Sequence, residues 1–108
     1  MDDQTLLARA AKAAGLRVNF HPTASYQWNP LSSDGDALRL AVACGISVIP
    51  YPIYSQPKHS VIAKRYEGGP AVYRGDAKPI EAFEIYGSDP YAATRRAIVR
   101  AAAEIGGE

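Results

Sequence analysis

Apolar positions along the chain recur with the period of a helix in three stretches, and with the period of a strand between them. The first helical stretch covers 3–14. Asp2 or Asp3 can accept hydrogen bonds from the first free amides of this helix, and Gly15 permits the left-handed turn that ends it. These signals predict a helix at the start of the chain.

A second helix is predicted over 36–44. Ser33 and Asp36 stand three apart, as in a capping box, and Gly45 marks the other end. We expect Asp36, and Asp34 before it, to act only in capping the helix. The predicted buried stripe of this helix consists of Leu38, Ala41 and Val42.

The third helix has the clearest signals, since Asp89 provides a cap, Pro90 suits the first helical position, and Gly106 and Gly107 end the pattern. We therefore predict a helix over 90–105. Its expected buried positions are Ile98, Ala101, Ala102 and Ile105.

Between the helices, alternating apolar and β-branched residues predict short strands. They lie at 16–20, 46–49, 60–66 and 71–74, with a hairpin turn at 67–70. Pro50, Pro52 and Pro57 remove ladder donors at the far end of the second of these strands, which is therefore either a sheet edge or a strand that leads into a loop. Residues 80–86 fit either a strand or a helical turn, and we favour a strand for 84–86. The predicted fold is α+β, a single domain over 1–108 with an antiparallel sheet of three to five strands against three helices.

Length and charge limit the function classes. A chain of 108 residues with 47% apolar content can build one core. Its net charge of +1 argues against duplex nucleic-acid binding. Cys44 is the sole cysteine, so no disulfide can form within the chain. The acidic start and the lack of a long apolar run predict neither export nor membrane insertion, and we expect a cytoplasmic protein.

Catalytic and metal-binding signatures are missing from the sequence. The two histidines, His21 and His59, have no second ligand at metal-site spacing, and no Gly-x-Ser-x-Gly or Cys-x-x-Cys pattern occurs. The Gly68-Gly69 pair precedes a predicted strand, whereas a phosphate-binding loop opens a helix. We therefore expect no metal, no cofactor and no enzymatic activity.

Three groups of residues are candidates for binding. Trp28, in a loop, could stack on a base or anchor a partner, although we favour a lid on the core for it. Its neighbour Asn29 could cap or pin this loop, and both residues are candidate ligand-binding residues. The arginines of the last helix could present one cationic edge, or a solvated face paired with Glu104. These arginines are Arg95, Arg96 and Arg100.

The third group is a set of tyrosines among mid-chain basic residues, Tyr51, Tyr54 and Tyr66. Aromatic and cationic side chains together suit either a nucleotide or a protein interface, and the sequence does not separate the two.

Two segments, Trp28–Val42 (WNPLSSDGDALRLAV) and Ala93–Gly106 (ATRRAIVRAAAEIG), resemble small phage and prophage proteins, together with the Leu6–Gly15 helix. The chain is similar to the NinX-like phage proteins in size and layout. The likeness covers about a third of the chain, and no part of the likeness lies between Ile46 and Gly87. It brings no known reaction. It implies a phage accessory role, exerted by binding, in the bacterial host cytoplasm.

From this resemblance we expect a counter-defence protein that sequesters a small nucleotide-type immune signal, in a pocket formed by a homo-oligomer. A second hypothesis is an inhibitor that binds a host defence protein such as a CRISPR effector. A third, a small DNA-binding regulator, conflicts with the near-zero net charge.

Overall fold

The computed structural model describes residues 2–16, 28–51, 60–66 and 79–107. It contains three helices and a three-stranded antiparallel sheet, so the α+β prediction is confirmed. The elements in chain order are α1 (Asp3–Ala13), α2 (Asp34–Cys44), β1 (Ser47–Tyr51), β2 (Ser60–Tyr66), β3 (Pro79–Ile85) and α3 (Pro90–Gly106).

Each helix begins at a side-chain cap that the sequence predicts. Asp2 Oδ1 accepts a hydrogen bond from the Thr5 amide at 2.8 Å, and this bond lowers the pKa of the Asp2 carboxyl. Ser33 Oγ accepts from the Asp36 amide at 3.2 Å, and Asp89 accepts from two first-turn amides at 3.0 and 3.1 Å. Free amides at all three starts are thereby satisfied.

The buried face of α2 differs from the predicted stripe. Leu38 is 65% exposed and Val42 is 75% exposed, so placing them in the core was wrong. The buried side chains are Ala37, Leu40, Ala41 and Cys44. The predicted stripe and the observed buried face both have helical spacing. The observed face consists mostly of small residues, and these allow α2 to pack closely against α3.

The other two helices bury the faces that the sequence predicts, apart from their ends. In α1 the buried residues are Leu6, Leu7, Ala10 and Ala11. In α3, Ile98, Ala101 and Ala102 are buried, whereas Ile105 is only half-buried. The helix also extends one residue further than predicted, to Gly106.

The sheet has the order β1-β2-β3, with both pairs antiparallel. Among the described strands β1 lies at an edge, in agreement with one of the two alternatives that its prolines predict, and β2 has the predicted bounds. The ambiguous stretch at 80–86 is a strand that begins at Pro79 and ends at Ile85. Val61, Ala63 and Ala82 alternate along β2 and β3 on the buried face, where α3 packs.

Helix α3 is the centre of the fold because it packs against the sheet, α1 and α2. It runs parallel to α1: Asp3 lies beside Arg96, and Arg9 lies beside Gly106. A Cβ atom at Gly106 would stand 2.1 Å from the Arg9 main-chain oxygen. The two helices can therefore cross here only because Gly106 has no side chain.

Several predicted features lie outside the described residues. They are most of the strand at 16–20, the hairpin at 67–70 and the strand at 71–74. None of the helices in the described ranges is both long and apolar enough to cross a bilayer.

Candidate ligand-binding cleft

The three arginines of α3 do not form one cationic edge. Arg95 points towards the start of α2, where its Nε donates to the Leu31 main-chain oxygen at 2.8 Å and its guanidinium lies 2.6 Å from an Asp34 oxygen. Its side chain is only 16% exposed. The geometry therefore makes Arg95 a clamp between α3 and the turn before α2, separate from the other two arginines.

Arg96 and Arg100 lie one turn apart and face α1 and β3. Arg96 pairs with Asp3 of α1 at 3.2 Å. Arg100 donates to the Phe83 main-chain oxygen at 3.0 Å and pairs with the Glu84 carboxylate, in place of the Glu104 partner that helical spacing suggests. Both guanidinium groups remain partly accessible to solvent.

A cleft of about 650 Å³ opens between α1, β3 and α3. Its apolar lining comes from Leu6, Ala103 and Gly107, and its charged lining from Arg9, Glu84, Arg96, Arg100 and Glu104. Three arginines face two glutamates, a formal excess of one positive charge.

Two of these charged side chains lack a partner among the residues that the structure describes. Arg9, half-buried on α1, makes no hydrogen bond or ion pair there, and Glu104 of α3 makes none either. Arg9 reaches to within 3.6 Å of where a Gly107 Cβ would stand, so it lies at the end of the cleft formed by the last turn of α3. These two groups remain available to a ligand.

Sequence reasoning missed Arg9, Glu84 and Glu104 as site residues. Arg9 belongs to the polar face of α1, and nothing in the local pattern shows that this face borders α3. The missing information is the parallel packing of the first and last helices. A sequence signal does exist in Gly106, whose absent side chain permits a close helix crossing.

Trp28 and Asn29 belong to a different part of the molecule. Trp28 is half-buried and packs against the core, consistent with the lid interpretation, and it lines a pocket of about 270 Å³ beside Leu40. The Asn29 amide donates to Asp36 Oδ2 at 2.9 Å, and the Asn29 side-chain oxygen accepts from the Leu31 amide at 3.0 Å.

Asp36 organises this loop, and restricting its role to helix capping was wrong. The residue is fully buried. Besides the Asn29 amide, it holds Arg39 at 3.0 Å. Asp34 likewise does more than cap, because it pairs with Arg95. Asp36 therefore connects the loop to α2, and Asp34 connects α2 to α3.

Of the tyrosine group only Tyr51 is fully described, and it does not line the cleft. Tyr51 ends β1, on the strand furthest from β3. Tyr54 lies outside the described residues, and Tyr66 is described only as the last residue of β2. The aromatic part of the expected site therefore has no described contact with the arginines.

A second, more apolar groove of about 510 Å³ runs from α2 to the edge strand β1 and the start of α3. Leu38, Val48, Pro50, Tyr86 and Tyr91 supply its apolar surface. Leu38 and Tyr91 are both largely exposed. Large exposed apolar side chains that share one groove are typical of interaction surfaces.

No group of three or more His, Cys, Asp and Glu side chains in the described ranges could hold a metal ion. Comparisons with protein-family models, with curated proteins and with solved structures found no match for this chain.

Proposed function

We propose that this protein binds and sequesters a small nucleotide-type anion in the cleft between α1, β3 and α3. The observation that carries the proposal is the convergence of Arg9, Arg96 and Arg100 on one cleft of about 650 Å³. That volume lies in the range of small-molecule sites, roughly 300–1,000 Å³.

Guanidinium groups suit a phosphate because their planar donors match its oxygens in pairs. Arg96 and Arg100 already have carboxylate partners, but both ion pairs are partly exposed. Exposed pairs of this kind contribute at most about 1 kcal/mol. A phosphate carrying up to two negative charges can therefore compete with Asp3 and Glu84 for these arginines.

The biological part of the proposal depends on the resemblance to phage accessory proteins. Such a protein would act stoichiometrically, by holding an immune signal away from its receptor in the host. The lack of a nucleophile or acid–base motif in the sequence favours binding over turnover. The cleft lies within one chain, so this site does not require the homo-oligomer of our first expectation.

The test is calorimetric titration with pyrophosphate, nucleoside monophosphates, cyclic di- and trinucleotides and ADP-ribose. We expect at least one phosphate ligand to bind, and Arg96→Ala to weaken its binding about tenfold through the loss of a charge-assisted hydrogen bond. Arg39→Ala removes the same charge outside the cleft and should leave affinity unchanged. No binding across the panel would rule the proposal out.

A second candidate is an inhibitor that binds a host defence protein, and the apolar groove beside β1 favours it. Leu38 and Tyr91 expose large apolar surfaces there. If this candidate holds, a defined defence protein should bind the native chain and Arg96→Ala equally but fail to bind Leu38→Asp. Equal binding by Leu38→Asp would exclude the groove as the interface.

A further inference from the structure

The cleft contains a feature that phosphate binding alone leaves unexplained. Glu104 lines it with a carboxylate that has no partner among the described residues, and it faces the same space as the unpaired Arg9. A bare phosphate would be repelled by Glu104. A ligand with hydrogen-bond donors at one end and an anion at the other would match both the carboxylate and the arginines of the cleft.

We infer that the ligand's base is guanine, an inference that depends on the proposed nucleotide-binding function. An ionised carboxylate has two oxygens and only accepts hydrogen bonds. Guanine places two neighbouring N–H donors, N1–H and the 2-amino group, on its Watson–Crick edge. They match both oxygens of one carboxylate. Adenine and cytosine place an acceptor beside their amino group, and that acceptor would face a carboxylate oxygen.

Arg9 completes the match on the other edge of the base. Guanine N7 and O6 are two adjacent acceptors, and an arginine fork that binds both is the commonest specific protein contact to guanine. Arg9 lies near Gly107, in the part of the cleft that the last turn of α3 forms around Glu104. The unpaired anion and the unpaired cation thus occur at the same end.

The row of charged side chains on α3 determines how the ligand is oriented in the cleft. Arg96, Arg100 and Glu104 follow one another at four-residue spacing, so they share one face of the helix. Glu104 lies about 12 Å along the axis from Arg96 at 1.5 Å per residue. The phosphate would lie at Arg96 and Arg100, the base at Glu104, and the sugar between them against Leu6 and Ala103.

The test compares GMP with AMP by calorimetry, with pyrophosphate as a probe of the phosphate end. We expect GMP to bind at least about tenfold more tightly than AMP, as one bidentate contact would give. In Glu104→Gln this preference should fall to within about threefold, because an amide offers one acceptor and one donor in place of two acceptors. Arg9→Ala should likewise weaken the binding of GMP more than the binding of pyrophosphate.

Glu81→Gln is the matched control, since Glu81 is an exposed glutamate of β3 that does not line the cleft. This variant should retain the full preference for GMP over AMP. Equal binding of GMP and AMP, or a preference that survives Glu104→Gln, would overturn the guanine inference and leave phosphate binding intact. Failure of GMP, AMP and pyrophosphate, and of the cyclic nucleotides and ADP-ribose as well, would overturn the proposed function itself.

Discussion

The Nε atom of Arg95 donates a hydrogen bond to the main-chain oxygen of Leu31, 2.8 Å away. The same side chain pairs with Asp34, so it joins α3 to both the loop and the first turn of α2. The segments 28–42 and 93–106 are thereby in direct contact.

Replacing Arg95 with alanine should therefore reduce the free energy of unfolding by about 2 kcal/mol, the range for a partly buried hydrogen bond from a charged donor. Urea denaturation measures the loss. Arg96→Ala breaks a more exposed ion pair and should cost no more than about 1 kcal/mol. Equal losses in the two variants would show that Arg95 is not a clamp.

Asp36→Ala should be destabilising by about 2 kcal/mol, because it leaves the Asn29 amide without its buried acceptor. The change should also shift the emission of Trp28, the sole tryptophan, since Asp36 holds the loop that begins there. Asp3→Ala is the control, as its carboxylate is largely exposed. An unchanged emission spectrum and full stability in Asp36→Ala would contradict the role given to Asp36.

The two faces of α2 can be distinguished with two leucines. Leu40→Ala should cost about 2–5 kcal/mol because Leu40 is fully buried and its truncation leaves a cavity. Leu38→Ala removes the same atoms from an exposed site and should stay within about 0.5 kcal/mol. Thermal unfolding followed by circular dichroism gives both values. A larger loss of stability in Leu38→Ala than in Leu40→Ala would mean that α2 buries the face predicted from the sequence.

Gly106→Ala should push α1 away from α3, because the new Cβ would overlap the Arg9 main-chain oxygen. Overpacking of this kind reduces the free energy of unfolding by about 1–3 kcal/mol. It should also weaken the binding of any ligand in the cleft. In Gly35→Ala the atoms nearest the new Cβ belong to the Arg39 guanidinium, 3.2 Å away on a largely exposed side chain, so this change should cost less than Gly106→Ala. Chemical denaturation and ligand titration of both variants test the crossing.

The Cys44 thiol should react slowly in the folded protein. Burial raises its pKa, an effect that the Arg65 charge only partly offsets, so less thiolate is present at any given pH. Ellman's reagent at pH 8 should label the native chain at least about tenfold more slowly than the chain in 6 M guanidinium chloride. Equal rates would mean that α2 does not shield this residue.

Much of the fold could be predicted from local signals. The caps at Asp2, Ser33 and Asp89 depend on neighbours in the sequence, and the structure confirms them. The edge position of β1 agrees with one of the two alternatives that its prolines predict. The face of α2 could not be predicted, because Leu38 and Leu40 are equally apolar and only packing against α3 decides between them.

The cleft was beyond local reasoning for a related physical reason. Its walls come from residues that are distant in the chain, such as Arg9 and Arg100, and amphipathic patterns show which face is polar without showing what lies opposite. The arginines of α3 were identified as candidates by charge alone. Their separation into one clamp and two cleft residues depends on the positions of α2 and β3.

The pairing of α1 with α3 also governs the order in which the molecule can assemble. Of the 108 residues of the chain, 76 separate these two helices, and α1 has little contact with α2 or the sheet. During translation the first helix therefore emerges long before its main partner, with Leu6 and Leu7 still uncovered. Docking of α1 must follow synthesis of α3. Because the two helices are far apart in the sequence, formation of this contact should be a late, slow step of folding.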